Sequence, residues 1–350
     1  MTISNLLFFF KKYNSFCKGG IKKAESLSLL GYSYVLDPSY RSHTIFSDAI
    51  SYLPEDNQDI TCIIIKAFAL QYWALMLHRQ AKHEKSREID SAALVCIKTA
   101  IDLIEKTLDT SPSLKILLAE EIHINAVIMT RMGEVHSNEF YFEEADRLFR
   151  KSIRLINEFC EKAKSPHFLS AITKQSYAIL LLNLNQHDAA IIQLNDSLQE
   201  QYSMSQHQID VAKSLHYQAD VYTKIKEYSL AFDCCLNALI LKMKNRYAND
   251  ETVKITQNLL LVVLYHGSVD IQLAFNWRNK IYRAMTAKNQ YFYYKCEDFL
   301  LLMEGEINEY RDQISLKQGK PNMMFTAIHQ HNEKRDSDLK VTGLMAYHSP

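Results

Sequence analysis

The sequence predicts an all-α protein, an α-α superhelix of antiparallel helix hairpins stacked as a solenoid. Three observations point there. The 350 residues include 8 glycines and 6 prolines, against usual shares of roughly 7% and 5%. None of the prolines interrupts a helical pattern: Pro38, Pro54, Pro112 and Pro166 lie between apolar-periodic segments, and Pro321 and Pro350 fall near the end. Finally, a pattern of small and large residues returns at intervals of 41 to 45 residues. Recurrence at such a period marks repeats that cannot bury their apolar faces singly and so stack.

The first 110 residues form an N-terminal helical region. Leu6 to Phe10 is apolar and is followed by Lys11 and Lys12. A signal peptide has its positive charge before a longer apolar core. The segment therefore reads as a helix contributing to a core, with a membrane-touching amphipathic segment as the alternative. A break follows at Gly19-Gly20. Tyr40 to Leu53 is a helix bounded by Pro38 and Pro54. Ile60 to Leu77 is the longest apolar region, interrupted by Lys66 and Gln71, and reads as a buried helix rather than a membrane span. The charged stretch Arg79 to Asp90 reads as a solvated helix end plus loop. Ala92 to Leu108 is amphipathic. Ser111-Pro112 marks the next start, with serine as N-cap and proline in the first position.

From residue 111 to 287 the repetition is legible. Its clearest copy is Met129 to Ile153, two helices joined at Ser137-Asn138. Aligning each second helix on its small residue gives Ala145, Ala190, Ala231 and Ala274, at intervals of 45, 41 and 43. Twelve residues before these stand Gly133, Ala178, Ala219 and Val262; three before stand Phe142, His187, Tyr228 and Ile271. Four after stand Phe149, Leu194, Cys235 and Arg278; seven after stand Ser152, Ser197, Ala238 and Ile281. Small residues at a crossing let two helices approach to about 8 to 9 Å, and large ones a turn away fill the flanking grooves. The fourth copy departs, since Arg278 stands where a large apolar residue belongs. Residues 288–318 read as C-terminal capping helices. Residues 319–350 are mixed polar and read as a flexible tail.

Composition narrows the function classes. Hydrophobic residues make up 47% of the chain, enough for a sizeable core, and 40 basic residues balance 40 acidic ones. A zero formal charge argues against a general nucleic-acid or anionic-membrane surface. No two of the seven cysteines have C-x-x-C spacing, and most lie among apolar neighbours, which reads as buried thiols in a reducing compartment. His329 and His331 form an H-x-H pair without a companion ligand set. Glu120, Glu121 and His123 read as a helix start where acids meet the macrodipole. No phosphate-cradling loop, nucleophile elbow or zinc-protease motif occurs. The chain is therefore expected to have no catalytic residues, no metal and no cofactor.

The phrase FEEADRLFRKSIRLI, Phe142 to Ile156, together with the small-large spacing, resembles the tetratricopeptide-repeat superfamily. The intervals exceed that family's 34 residues and resemble its long-helix variant, seen in kinesin light chains. The resemblance covers residues 120–285 clearly and 24–110 weakly, where Ala93 and Ala100 keep the small-small spacing. The family's tryptophan at the start of the first helix is absent, as Trp73 and Trp277 lie elsewhere. The resemblance implies a concave groove lined by the first helices. In the first copy its positions are Val127, Thr130, Glu134, Ser137 and Asn138. In the second they are Ile172, Gln175, Ile179, Leu182 and Asn183, and in the third Lys213, His216, Asp220, Thr223 and Lys224. Gln175, Ile179, Leu182, Asn183, Lys213, His216, Asp220 and Lys224 are the candidate partner-binding residues. Relatives that clamp chaperone carboxylate tails carry basic residues and asparagines at these positions. Glu134, Ile179 and Asp220 stand there instead, which argues against that role.

The function expected is a non-enzymatic scaffold or adaptor that binds a peptide or protein segment in the groove. Richness in Ile, Lys, Asn and Tyr points to an AT-rich, bacterial genome, and the buried thiols to a cytoplasmic protein, with secretion without a cleavable signal as the alternative. Two alternatives use the same surface. One is a peptide-sensing bacterial regulator, although residues 1–36 lack a basic recognition helix. The other is a host-directed effector.

Overall fold

In the computed structural model of the chain, the residues described are 41–53, 59–84, 86–107, 114–164, 167–204 and 208–244, with scattered positions between 24 and 28 and between 255 and 266. Nine helices run through them: α1 (Arg41–Ser51), α2 (Ile60–Glu84), α3 (Arg87–Glu105), α4 (Lys115–His136), α5 (Glu139–Ala163), α6 (Phe168–Asn183), α7 (His187–Ser203), α8 (Gln208–Lys224) and α9 (Tyr228–Lys244). Among the described residues there is no strand, and the protein is all-α. It forms two compact units that divide between Asn185 and Gln186. Ser111-Pro112, Ala274 with the second helix of the fourth copy, the capping helices, the tail with His329 and His331, and Cys17 and Cys296 lie outside the described residues.

In the first unit each helix from α1 to α6 packs on the next, and α4 also touches α2 and α6. Burial along α4 and α5 shows why. Fourteen of the 22 residues of α4 are buried, on every side of the helix. In α5 the buried residues are Ala145, Leu148, Phe149, Ser152 and Ile156, a single stripe at helical spacing. So α4 is an inner helix and α5 an outer one. The hairpin between them turns at Ser137 and Asn138. Ser137 takes the left-handed conformation (φ 49°), and the Asn138 side chain caps α5 by accepting from Phe140 N at 3.1 Å. At the crossing, Ser152 Oγ donates to the Ala119 carbonyl at 2.7 Å. A larger side chain at 152 would hold the helices apart. Ala119, Ile156 and Leu169 then join α4, α5 and α6 in one apolar cluster.

In the second unit α7 packs on α8 and α8 on α9. Leu215, Ala219 and Tyr222 of α8 meet Ala231, Phe232, Cys235 and Ala238 of α9 in the core. Ser197 of α7 and Ser214 of α8 have their hydroxyls 3.4 Å apart, so small residues again mark a close approach. Ala145, Ala190 and Ala231 are all fully buried, as are Phe149, Leu194 and Cys235 four residues on, and Ser152, Ser197 and Ala238 seven residues on. In the fourth copy the alignment slips. Val262 is 43% exposed while Val263 is fully buried, so the inward face of that helix falls at least one residue from the aligned position.

Two local expectations need correction. The stretch Arg79 to Asp90 is mostly helix. α2 continues to Glu84, and Ser86 caps α3 by accepting from Ile89 N at 3.4 Å. Asp90 is fully buried rather than solvated. Nor do Glu120 and Glu121 sit at a helix start. α4 begins at Lys115, after Leu114 with no side-chain cap, so both acids lie past the first turn, where the dipole does not reach. Glu121 is fully buried and His123 is 8% exposed.

Four of the five described cysteines behave as core residues. Cys62, Cys96, Cys234 and Cys235 are buried, and none of the five described cysteines is in a disulfide. Burial pushes the Cys96 thiol up to about 11 and those of Cys234 and Cys235 higher still, which keeps them unreactive. Within α2, Ile60–Ala81 is long and apolar enough to cross a bilayer, and 67% of that window is buried inside the protein.

Candidate functional site

The inner-helix residues of the first unit divide by burial. α6 is capped by His167, whose Nδ1 accepts from Leu169 N at 3.3 Å, and is tied to α5 by Tyr177, whose hydroxyl donates to Asp146 Oδ1 at 2.6 Å. Arg150 lies over the Tyr177 ring, 5.7 Å from its centroid. On the helix so held, Gln175 and Leu182 are buried, whereas Ile179 and Asn183 are part-exposed. Asn183 Nδ2 donates to Glu134 Oε1 at 2.5 Å. Two positions expected on successive first helices are thus in direct contact, one on α4 and one on α6. Of the apolar groove positions on α6, Ile172 and Ile179 are part-exposed and Leu182 is buried.

In the second unit Lys213 and Lys224 are exposed on α8. Each pairs within its own helix, Lys213 with Asp210 at 3.2 Å and Lys224 with Asp220 at 3.4 Å. Such exposed pairs contribute well under about 1 kcal/mol, so either lysine can leave its partner at little cost. His216 has a different setting. Its Nδ1 is 3.2 Å from Thr256 Oγ1, and the same hydroxyl accepts from Lys242 Nζ at 2.6 Å. Cys235 Sγ donates to the Thr256 carbonyl at 3.3 Å. Burial, followed by the Lys242 charge, lowers the His216 pKa to about 4, so its ring is neutral at pH 7. Burial lowers Lys242 to about 8. Lys242 and Thr256 escape a reading of the sequence, because they lie 26 and 40 residues from His216. The one local signal is a lysine closing the apolar run Ala238 to Leu241.

A second polar centre lies in the first unit. Asp90 of α3 faces Arg131 of α4, Nε to Oδ1 at 3.8 Å, and His78 of α2, Nδ1 to Oδ1 at 4.0 Å. Arg131 also donates from Nη2 to the Ala81 carbonyl at 2.8 Å. One guanidinium therefore links three helices. Burial raises the Asp90 pKa, and the Arg131 charge opposes that rise.

Among the described residues no three of His, Cys, Asp and Glu form a metal-ion group. No family model matches the chain, and no curated protein matches it. Fold and site together define an all-α protein of consecutively packed helices, with buried polar clusters between them.

Proposed function

We propose that the chain is a non-enzymatic helical-repeat scaffold or adaptor, tetratricopeptide-like in its superhelical stacking, that binds a peptide or protein segment on the face lined by its first helices. The observation that carries this reading is the Asn183–Glu134 hydrogen bond. It joins positions assigned to the groove on two successive inner helices, as stacking of first helix on first helix requires. The contacts of α4 with both α2 and α6 support the same order. A preformed face of this kind binds with little reorganisation, so few contacts suffice for useful affinity. In the first unit the apolar anchor is Ile179, flanked by Asn183. In the second unit, taken by itself, Lys213 and Lys224 of α8 supply positive charge that attracts an acidic segment. The partner is a protein, and the reading requires neither nucleic acid, cofactor nor a membrane span.

Panning the full-length chain against a displayed random-peptide library tests this. Selected peptides are then titrated by fluorescence anisotropy into the parent, Ile179→Asp and Lys213→Glu. Enriched peptides that bind at least one variant about tenfold or more weakly support the reading, that being about 1.4 kcal/mol. No enrichment, or equal affinity for all three proteins, refutes it.

A further inference from the structure

One face of α6 meets the end of α4 at a single printed contact. On α6, Ile172, Ser176, Ile179 and Asn183 follow one another at helical spacing, so they share one face, and all four are part-exposed. Gln175, Ala178 and Leu182, beside that face, are buried. On α4, Glu134 is exposed. Asn183 Nδ2 donates to Glu134 Oε1 at 2.5 Å, which fixes the carboxylate at the end of the isoleucine stripe.

Glu134 has no ion pair among the described residues. The nearest lysine or arginine in sequence, Arg131, is engaged elsewhere, donating to the Ala81 carbonyl and facing Asp90. The amide of Asn183 is neutral, so it orients the carboxylate and leaves its charge in place. An apolar stripe closed by a held negative charge is complementary to an aliphatic segment that carries one cation. Ser176 and Asn183 add a hydroxyl and an amide oxygen to the same face. These suit a segment whose main-chain N–H groups are open, as they are in an extended chain and are not in a helix.

The spacing sets the pattern. At a rise of 1.5 Å per residue, Ile172 and Ile179 are about 10 Å apart along α6, and Ile179 and Asn183 about 6 Å. In an extended segment, at about 3.3 Å per residue, those gaps are roughly three and two residues.

We propose that the first unit takes an extended segment with a lysine or arginine two residues from one aliphatic side chain and five from another. The cation seats on Glu134, and the aliphatic groups seat on Ile179 and Ile172. This rests on the reading of the inner-helix face as a peptide site, and adds to it the sign and spacing of the partner.

The test uses the full-length chain and two fluorescein-labelled peptides, Leu-Ala-Ala-Leu-Ala-Lys and its reverse order, since either chain direction fits. Fluorescence anisotropy should show saturable binding of at least one. Replacing its lysine by glutamate should weaken binding about tenfold or more, because attraction becomes repulsion. Glu134→Lys should reverse the preference between the lysine and glutamate peptides, and Glu161→Gln, on α5, should leave it as in the parent. Should Glu134→Lys not fold, salt decides: affinity for the lysine peptide falls as salt rises, and that of its glutamine analogue does not. Binding of neither peptide, equal binding of the lysine and glutamate peptides, or a preference that Glu134→Lys or salt leaves unmoved overturns the proposal. The broader reading is judged separately: library peptides that lose affinity in Ile179→Asp uphold it whatever charge they carry.

Discussion

Gly133 and Phe142 are in contact across the α4–α5 hairpin so closely that no side chain fits between them. A Cβ built on Gly133 would stand 2.5 Å from Phe142 Cε1 and 2.6 Å from Cδ1. In a helix interior alanine is favoured over glycine by roughly 0.5 to 1 kcal/mol, so the glycine is there for space. Gly133→Ala is expected to cost about 1 to 3 kcal/mol net, the usual range for overpacking. The double variant Gly133→Ala/Phe142→Leu recovers part of it. Urea unfolding of the three proteins measures this. Strict additivity of the two substitutions would mean that they do not meet.

Ala231 tests the same rule in the second unit. It is fully buried in the core that joins α8 to α9. Ala231→Leu adds three carbons where helices cross, and should lower stability by about 1 to 3 kcal/mol. An unchanged melting temperature would show that the small residue is not needed for the crossing.

His123 makes the first unit sensitive to acid. Burial lowers its pKa to about 4, from 6.5, and its ring packs edge-on to Phe149 at 5.9 Å. Between those two values the unfolded chain takes up a proton that the folded chain refuses. Stability therefore falls as pH drops from about 6.5 to about 4, by about 3 kcal/mol in total. Glu121 acts in the opposite sense. Its folded pKa is raised, so its contribution is lost as pH rises above the unfolded value near 4.5. The two partly cancel in the parent. The difference between parent and His123→Gln, from urea midpoints at pH 7 and pH 4.5, isolates the histidine. A difference that does not change with pH would refute a buried neutral ring.

What could be read from the sequence follows from local pattern. α1 begins and ends within two residues of the helix expected between Pro38 and Pro54. The stripe on α5 is visible because its outer face is polar, so phase and burial agree. α4 offers no such phase. It is buried all round, so nothing in its pattern distinguishes Glu121, which points inward, from Glu134, which is exposed. Long-range pairs are harder still. His216 stands at an expected groove position by its spacing from Ala231, yet its bond to Thr256 depends on a residue 40 positions away. Gln175 and Leu182 fit the spacing for a solvent-facing groove but are buried, because a spacing rule fixes direction around a helix and not what covers it.

Asp90 and Arg131 should behave as a buried pair whose members matter less together than apart. Arg131 is the cation beside a fully buried carboxylate, and neither oxygen of Asp90 has a hydrogen bond. Arg131→Met leaves that carboxylate uncompensated, and the Ala81 carbonyl loses its donor. The expected cost is about 3 to 5 kcal/mol. Asp90→Leu/Arg131→Met removes both charges and should be markedly more stable than Arg131→Met alone. If the double variant is instead the less stable, the pair contributes more than its desolvation costs.

Lys242 carries a similar desolvation penalty. It is 5% exposed, and donates to Thr256 Oγ1. Burial brings its pKa down to about 8, from 10.5. The unfolded chain holds its proton more tightly across that window, so stability rises as pH goes from about 8 to 10.5, and at pH 7 the charge costs about 3 kcal/mol. Lys242→Met removes the charge together with its hydrogen bond to Thr256, the latter worth about 1 kcal/mol, so the variant should be more stable at pH 7 if desolvation dominates. The substitution also acts on His216, whose pKa the Lys242 charge helps to depress. In Lys242→Met the His216 ring should titrate above its parent value of about 4, as followed by NMR. A more stable variant with an unmoved His216 would mean that burial alone holds the imidazole neutral. A less stable variant would mean that the ammonium–hydroxyl bond outweighs the desolvation of Lys242.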